Sequence, residues 1–159
     1  MVSTAVTASA ALVVVTASLP LYLKGAGIIL NAEYVSWAVL TRHLRYIGAG
    51  LVCTTVPVVG WMAPRLLQQL GGLAALHAFL GLQAYALLLF ALTGIARILQ
   101  VKREADLYRD PDPDVDISEL HPDMDAWRGR LRVGVFGYLV FWLLAYLVGV
   151  VRFVEMYVL

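Results

Sequence analysis

Charge is scarce in this sequence. Acidic and basic side chains make up 14% of the 159 residues against 61% hydrophobic ones, and the mean hydropathy is +0.79. Soluble domains carry about a quarter of their residues as charges, so a water-exposed globular fold is excluded and lipid is the expected solvent. Cysteine occurs once, at Cys53 inside an apolar run, which excludes an intramolecular disulfide. As a lone thiol among apolar residues it reads as a small buried hydrophobe. Basic residues are missing ahead of the first apolar run and no convincing small-residue cleavage site follows Leu23, so that run is read as a retained helix and not a secretory signal. There is no nucleophile paired with a base, no glycine-rich phosphate loop and no pair of carboxylates within an apolar run. No catalytic residue and no metal site are therefore assigned, and nucleic acid is not an expected partner.

What the sequence does have is four apolar stretches, each near the roughly 20 residues that cross a bilayer as a helix. They predict an all-α membrane bundle, a single transmembrane domain over residues 1–159. The helices are expected over about 4–30, 43–63, 73–99 and 123–157, with one long polar loop over 100–122 between the third and fourth. Lys24 is expected to snorkel near the end of the first span. Between Gly25 and Leu40 the apolar pattern is broken by Asn31 and Glu33, and Tyr34 and Trp37 read as interfacial aromatics, so this stretch is expected partly in the headgroup layer. Pro57 predicts a kink in the second span. A short connection through Gln68, Gln69, Gly71 and Gly72 makes the second and third spans antiparallel neighbours.

The loop contains Asp110, Asp112, Asp114 and Asp116 interleaved with prolines, a composition that predicts an extended solvated segment without a fold of its own. Pro122, Asp123 and Asp125 are first-turn residues, so the last helix is expected to start in water and to enter the membrane near Arg132. Lys24, Arg42, Arg45, Arg97, Lys102, Arg103, Arg128, Arg130 and Arg132 flank one side of the spans, against Arg65 and Arg152 on the other. The positive-inside rule then puts both termini outside and the acidic loop in the cytoplasm of a multi-pass cell-membrane protein.

Small residues at four-residue spacing let helix backbones approach, and here they are Gly71 with Ala75, Ala74 with Ala78, Gly50 with Thr54, and Ala145 with Gly149. Among ionisable groups His77 stands out, since such a group inside an apolar helix is costly and is retained for function or for an interhelical hydrogen bond. Gly81 one turn along would leave room for a flat cofactor, with Gln83 and Tyr85 nearby. A haem held by His77 needs a second ligand on the same side of the membrane, and His43 and His121 belong to the opposite end. Met62, Met156, another subunit or a five-coordinate iron would have to serve. The spacing of Asp112, Asp114 and Asp116 resembles a calcium loop, but Ile117 stands where the sharp turn needs glycine, so a solvated acidic loop is the better reading.

His43 and Arg45 opening the second helix, His77 early in the third and the Arg-rich entry Trp127 to Arg132 into the fourth make the last three helices resemble the CtaM/YozB-like family of small four-helix membrane proteins. The acidic loop is similar to those of haloarchaeal proteins. Some members of that family are linked to maturation of haem-copper terminal oxidases, so the resemblance implies a non-catalytic accessory or assembly factor that meets lipid, respiratory membrane subunits or copies of itself. Members carry further histidines near the end of the second helix and before the fourth, where this chain has Pro64-Arg65 and Trp127. The competing reading is a small b-type cytochrome passing electrons through a haem at His77.

Overall fold

The computed structural model describes residues 4–66, 71–112 and 114–159. Among them the elements are α1 (Thr4–Leu30), α2 (Trp37–Pro57), a π-helical turn (Val58–Met62), α3 (Ala63–Leu66), α4 (Gly72–Glu104), a 3-10 turn (Ile117–Leu120) and α5 (Met124–Tyr157). The class is all-α. Four stretches, Thr4–Leu30, Trp37–Arg65, Gly72–Glu104 and Met124–Tyr157, are long and apolar enough to cross a membrane. The chain divides into two compact units, Met1–Ala74 with Val150–Leu159, and Ala75–Gly149.

In the first unit α1 packs against α2. The pairing is antiparallel, because Gly25 meets Tyr46 and Ile47 whereas Tyr22, one turn earlier, meets Gly50 and Thr54. The ring of Tyr22 lies flush on Gly50, where an added Cβ would stand 2.7 Å from its Cε1, and its hydroxyl is 3.1 Å from the Thr54 hydroxyl in a buried hydrogen bond. The small pair Gly50 and Thr54 is thus a helix contact. His43 fixes the other end, its Nδ1–H donating to the Gly25 carbonyl at 2.8 Å. Lys24 lies before the end of α1, its ammonium 4.8 Å from the centre of the Tyr46 ring.

The second span starts at Trp37, earlier than expected, because Ser36 caps it: its side chain accepts the Val39 N–H at 3.4 Å. The stretch read as a single interfacial segment is therefore divided into the end of α1, a short break and the start of α2. The disturbance expected at Pro57 takes the form of the π-helical turn that follows it, in which the Ala63 N–H reaches back to the Val58 carbonyl. Within this turn Trp61 keeps a buried Nε1–H with no acceptor among the described residues, and the Arg65 guanidinium sits 5.0 Å from its ring. Gln68 and Gln69, expected in the connection to the third span, lie outside the described residues. Cys53 is half-buried.

In the second unit α4 and α5 run antiparallel, with Gly94 against Trp127, Ala91 against Gly134, Leu87 against Gly137 and His77 against Gly149. The approach at Gly134 is backbone to backbone: an added Cβ would be 2.7 Å from both the Ala91 nitrogen and the Leu87 carbonyl oxygen. Ala84, Ala91, Tyr138 and Ala145 fill the seam.

α4 runs past the expected end at Leu99, with Gln100 donating to Glu104 at 3.0 Å and Lys102 and Arg103 in the last turn complementing the helix dipole. It stops at Asp106, which takes a left-handed φ of 54°. The Leu107 N–H then reaches the Lys102 carbonyl and the Asp106 N–H the Arg103 carbonyl, a Schellman closure with aspartate in the position usually held by glycine.

The loop that follows is more ordered than its composition predicts. Leu107 and Tyr108 are buried, the Asp112 and Asp116 side chains accept the Asp114 and Ser118 N–H groups, and the Arg128 side chain donates to the Ser118 hydroxyl. Short aspartate-to-backbone bonds satisfy locally what an extended chain would give to water.

Candidate functional site

Two places in the second unit gather polar groups. The first is His77, part-buried on α4. Gly149 of α5 is set against its imidazole, so that an added Cβ there would be 3.0 Å from Cε1 and 3.3 Å from Nε2. The backbone of α5 therefore covers the Cε1–Nε2 edge, the edge an axial histidine turns to iron. Gly81 does leave open space at its own Cβ position, and Gln83 and Tyr85 are part-buried. Among the described residues no group of three or more His, Cys, Asp or Glu side chains converges as metal ligands would. The close approach of Gly149 makes His77 part of a helix contact.

The second place is a cavity of about 450 Å³ at the end of the unit nearest the acidic loop. α4 supplies Arg97, Gln100 and Glu104, which share one face by their three- and four-residue spacing. The start of α5 supplies Trp127 and Arg130, and the turn just before it Asp123. His121 also lines it, its ring stacked on buried Trp127 at 4.3 Å between centroids. The Asp123 N–H donates to His121 Nδ1 at 3.0 Å, so this nitrogen carries no proton and the ring is held in one tautomer. Beside the cavity the Lys102 ammonium lies 5.2 Å from the centre of the Tyr108 ring, and burial pushes the Tyr108 phenol above its ordinary pKa.

The other residues singled out in the sequence separate into two groups. Ala145 and Gly149 are used inside the second unit, whereas Ala75 is exposed and the Cβ positions of Gly71 and Gly81 are open. Arg42, Arg45, Arg130 and Arg132 are exposed, and Arg128 is part-buried between Asp125 at 3.8 Å and Ser118 at 3.0 Å. The cavity was missed as a unit because its residues read individually as orientation markers and helix-start residues. The recurrence of Arg97, Gln100 and Glu104 on one face of the last turns of α4 was the signal that could have found it.

A model of the family described as a domain of unknown function, DUF7321, matches residues 4–158. The chain belongs to that family. No curated protein and no solved structure matches it. The DUF7321 match spans all four apolar helices and both places described above.

Proposed function

We propose that this DUF7321 chain is a non-catalytic accessory or assembly subunit of a respiratory, haem-copper oxidase complex, seated in the cell membrane with both termini outside. The observation that supports it most is one face of α2 and the π-helical turn. Gly48, Val52, Val56 and Gly60 recur there at four-residue spacing; both valines are exposed, and a Cβ on either glycine would meet nothing. Glycine inside a helix costs about 0.5–1 kcal/mol relative to alanine. At Gly25, Gly50 and Gly134 close helix contacts inside the chain offset that cost. At Gly48 and Gly60 nothing among the described residues does, and a closely packed helix of a partner would. The resemblance to the CtaM/YozB-like proteins supplies the identity of that partner.

Purification in a gentle detergent tests the reading. Oxidase subunits should accompany the wild-type chain and be lost from Gly48→Leu with Gly60→Leu, whereas recovery of this chain alone contradicts it. The orientation is tested by cysteine labelling after Cys53→Ser. With an impermeant reagent, Leu159→Cys should react from outside and Ser118→Cys only after the membrane is opened, and reaction of both from one side contradicts it.

A further inference from the structure

The cavity between the end of α4 and the start of α5 has a polarity along the membrane normal. The uncharged run of α4 extends from Gly72 to Ala96 and that of α5 from Val133 to Val151, so the hydrocarbon boundary falls at Arg97 on α4 and at Arg132 on α5, two residues beyond Arg130. Of the lining residues Arg130 lies deepest, its Cβ 3.2 Å from the position a Cβ on Gly94 would take, one turn into the membrane from Arg97. The acids lie at the other end. Glu104 follows Arg97 by seven residues and Asp123 precedes Arg130 by seven, which on each helix is a rise of about 10 Å toward the water. The two helices run in opposite directions, so both gradients point the same way: cations at the membrane face, carboxylates outside, Gln100 and Trp127 between.

The two guanidinium groups are not used up in ion pairs. Among the described residues neither Arg97 nor Arg130 forms an ion pair, the ion pair at this end being Arg128 with Asp125. Gly94 holds α5 close below the cavity, where an added Cβ would collide with the Trp127 carbonyl. The lining carries two guanidinium and two carboxylate groups, a neutral sum that fits a ligand bearing one charge of each sign.

We propose that this cavity binds the headgroup of a zwitterionic phospholipid, a phosphodiester carrying an ammonium group. Turned outward from the bilayer plane, such a headgroup places its phosphate at the membrane boundary and its ammonium on the water side, the same order in which the cavity presents guanidinium and carboxylate. The phosphate oxygens accept from Arg97 and Arg130, the bidentate donors suited to them. The ammonium donates to Glu104 and Asp123, and the acyl chains remain in the bilayer. A lipid with a second phosphate in place of the ammonium would set like charges against Glu104 and Asp123.

The test uses the full chain, purified without lipid and titrated with phosphatidylethanolamine, with phosphatidylglycerol and with water-soluble glycerophosphoethanolamine, bound lipid being counted by native mass spectrometry. The wild type should hold phosphatidylethanolamine about tenfold more tightly than phosphatidylglycerol, the size of effect of one charge-assisted hydrogen bond. Arg97→Gln with Arg130→Gln should weaken both lipids at unchanged thermal stability in detergent. Glu104→Gln with Asp123→Asn should retain phosphatidylglycerol and lose the preference for phosphatidylethanolamine, which keeps the proposal testable if the arginine variant does not fold. Equal binding of the two lipids by the wild type overturns the zwitterion assignment. Undiminished binding by the arginine variant overturns the site, and equal affinity for the soluble headgroup overturns the lipid as its source.

Discussion

His77 and Gly149 form one contact: the imidazole occupies the space that a side chain on residue 149 would need, 3.0 Å from the nearest ring carbon. The two substitutions should therefore differ sharply. Gly149→Leu drives a side chain into the ring and should lower the unfolding temperature in detergent and reduce accumulation in the membrane. His77→Gln keeps a hydrogen-bonding group and should cost about 0.6 kcal/mol, the average for an interhelical hydrogen bond in a membrane protein. The purified chain should show no Soret absorption even after haem supplementation. A haem spectrum lost in His77→Gln would overturn the packing role.

Tyr22 covers Gly50 in the same manner in the first unit, but its hydroxyl also bonds Thr54. Tyr22→Phe should cost only the hydrogen bond, again about 0.6 kcal/mol. Gly50→Ala must displace the ring and should cost about 1–3 kcal/mol as overpacking. Thermal unfolding of both variants checks the order, and equal stability of Gly50→Ala and wild type would remove the close contact from the account.

Asp106 ends α4 with a left-handed φ of 54°, a conformation glycine adopts without steric cost. Asp106→Gly should be neutral or stabilising by up to about 1 kcal/mol, and Asp106→Val should be clearly destabilising because a β-branched residue resists that conformation. Denaturation of the three proteins under one set of conditions gives the comparison.

The Tyr108 phenol titrates above its ordinary value because burial disfavours the phenolate. Its folded pKa is raised, so its contribution to stability is fully present below the unfolded value near about 10 and is lost as pH rises through the folded one. Alkaline titration should expose the loop at Tyr108 as the phenolate forms, and Tyr108→Phe should remove that part of the alkaline loss. An identical alkaline profile in the two proteins would show that Tyr108 is not the responsible group.

The four spans were legible because apolar runs of bilayer length follow directly from the solvent the chain must satisfy, and the helix contact at Gly50 and Thr54 followed from residue size. The bond from His43 to the Gly25 carbonyl was not legible, since it depends on how residues 31–36 turn the chain and so on which turn of α1 faces α2. The order in the acidic loop was hidden for a different reason. Asp112 and Asp116 read as solvated charges by composition, and their bonds to backbone N–H groups two residues on appear only once the turns are formed. At the cavity, Arg97 and Arg130 carried the same orientation signal as Arg42 and Arg45, and only the antiparallel pairing of α4 with α5 brings them to one place.

Terminal-oxidase activity in membranes of a strain lacking this gene tests the proposed accessory role most directly. Activity per unit of oxidase subunit should fall in the deletion strain, return with the wild-type chain and with His77→Gln, and fail to return with Gly48→Leu combined with Gly60→Leu. A deletion strain with wild-type oxidase activity and normally assembled oxidase would contradict the account.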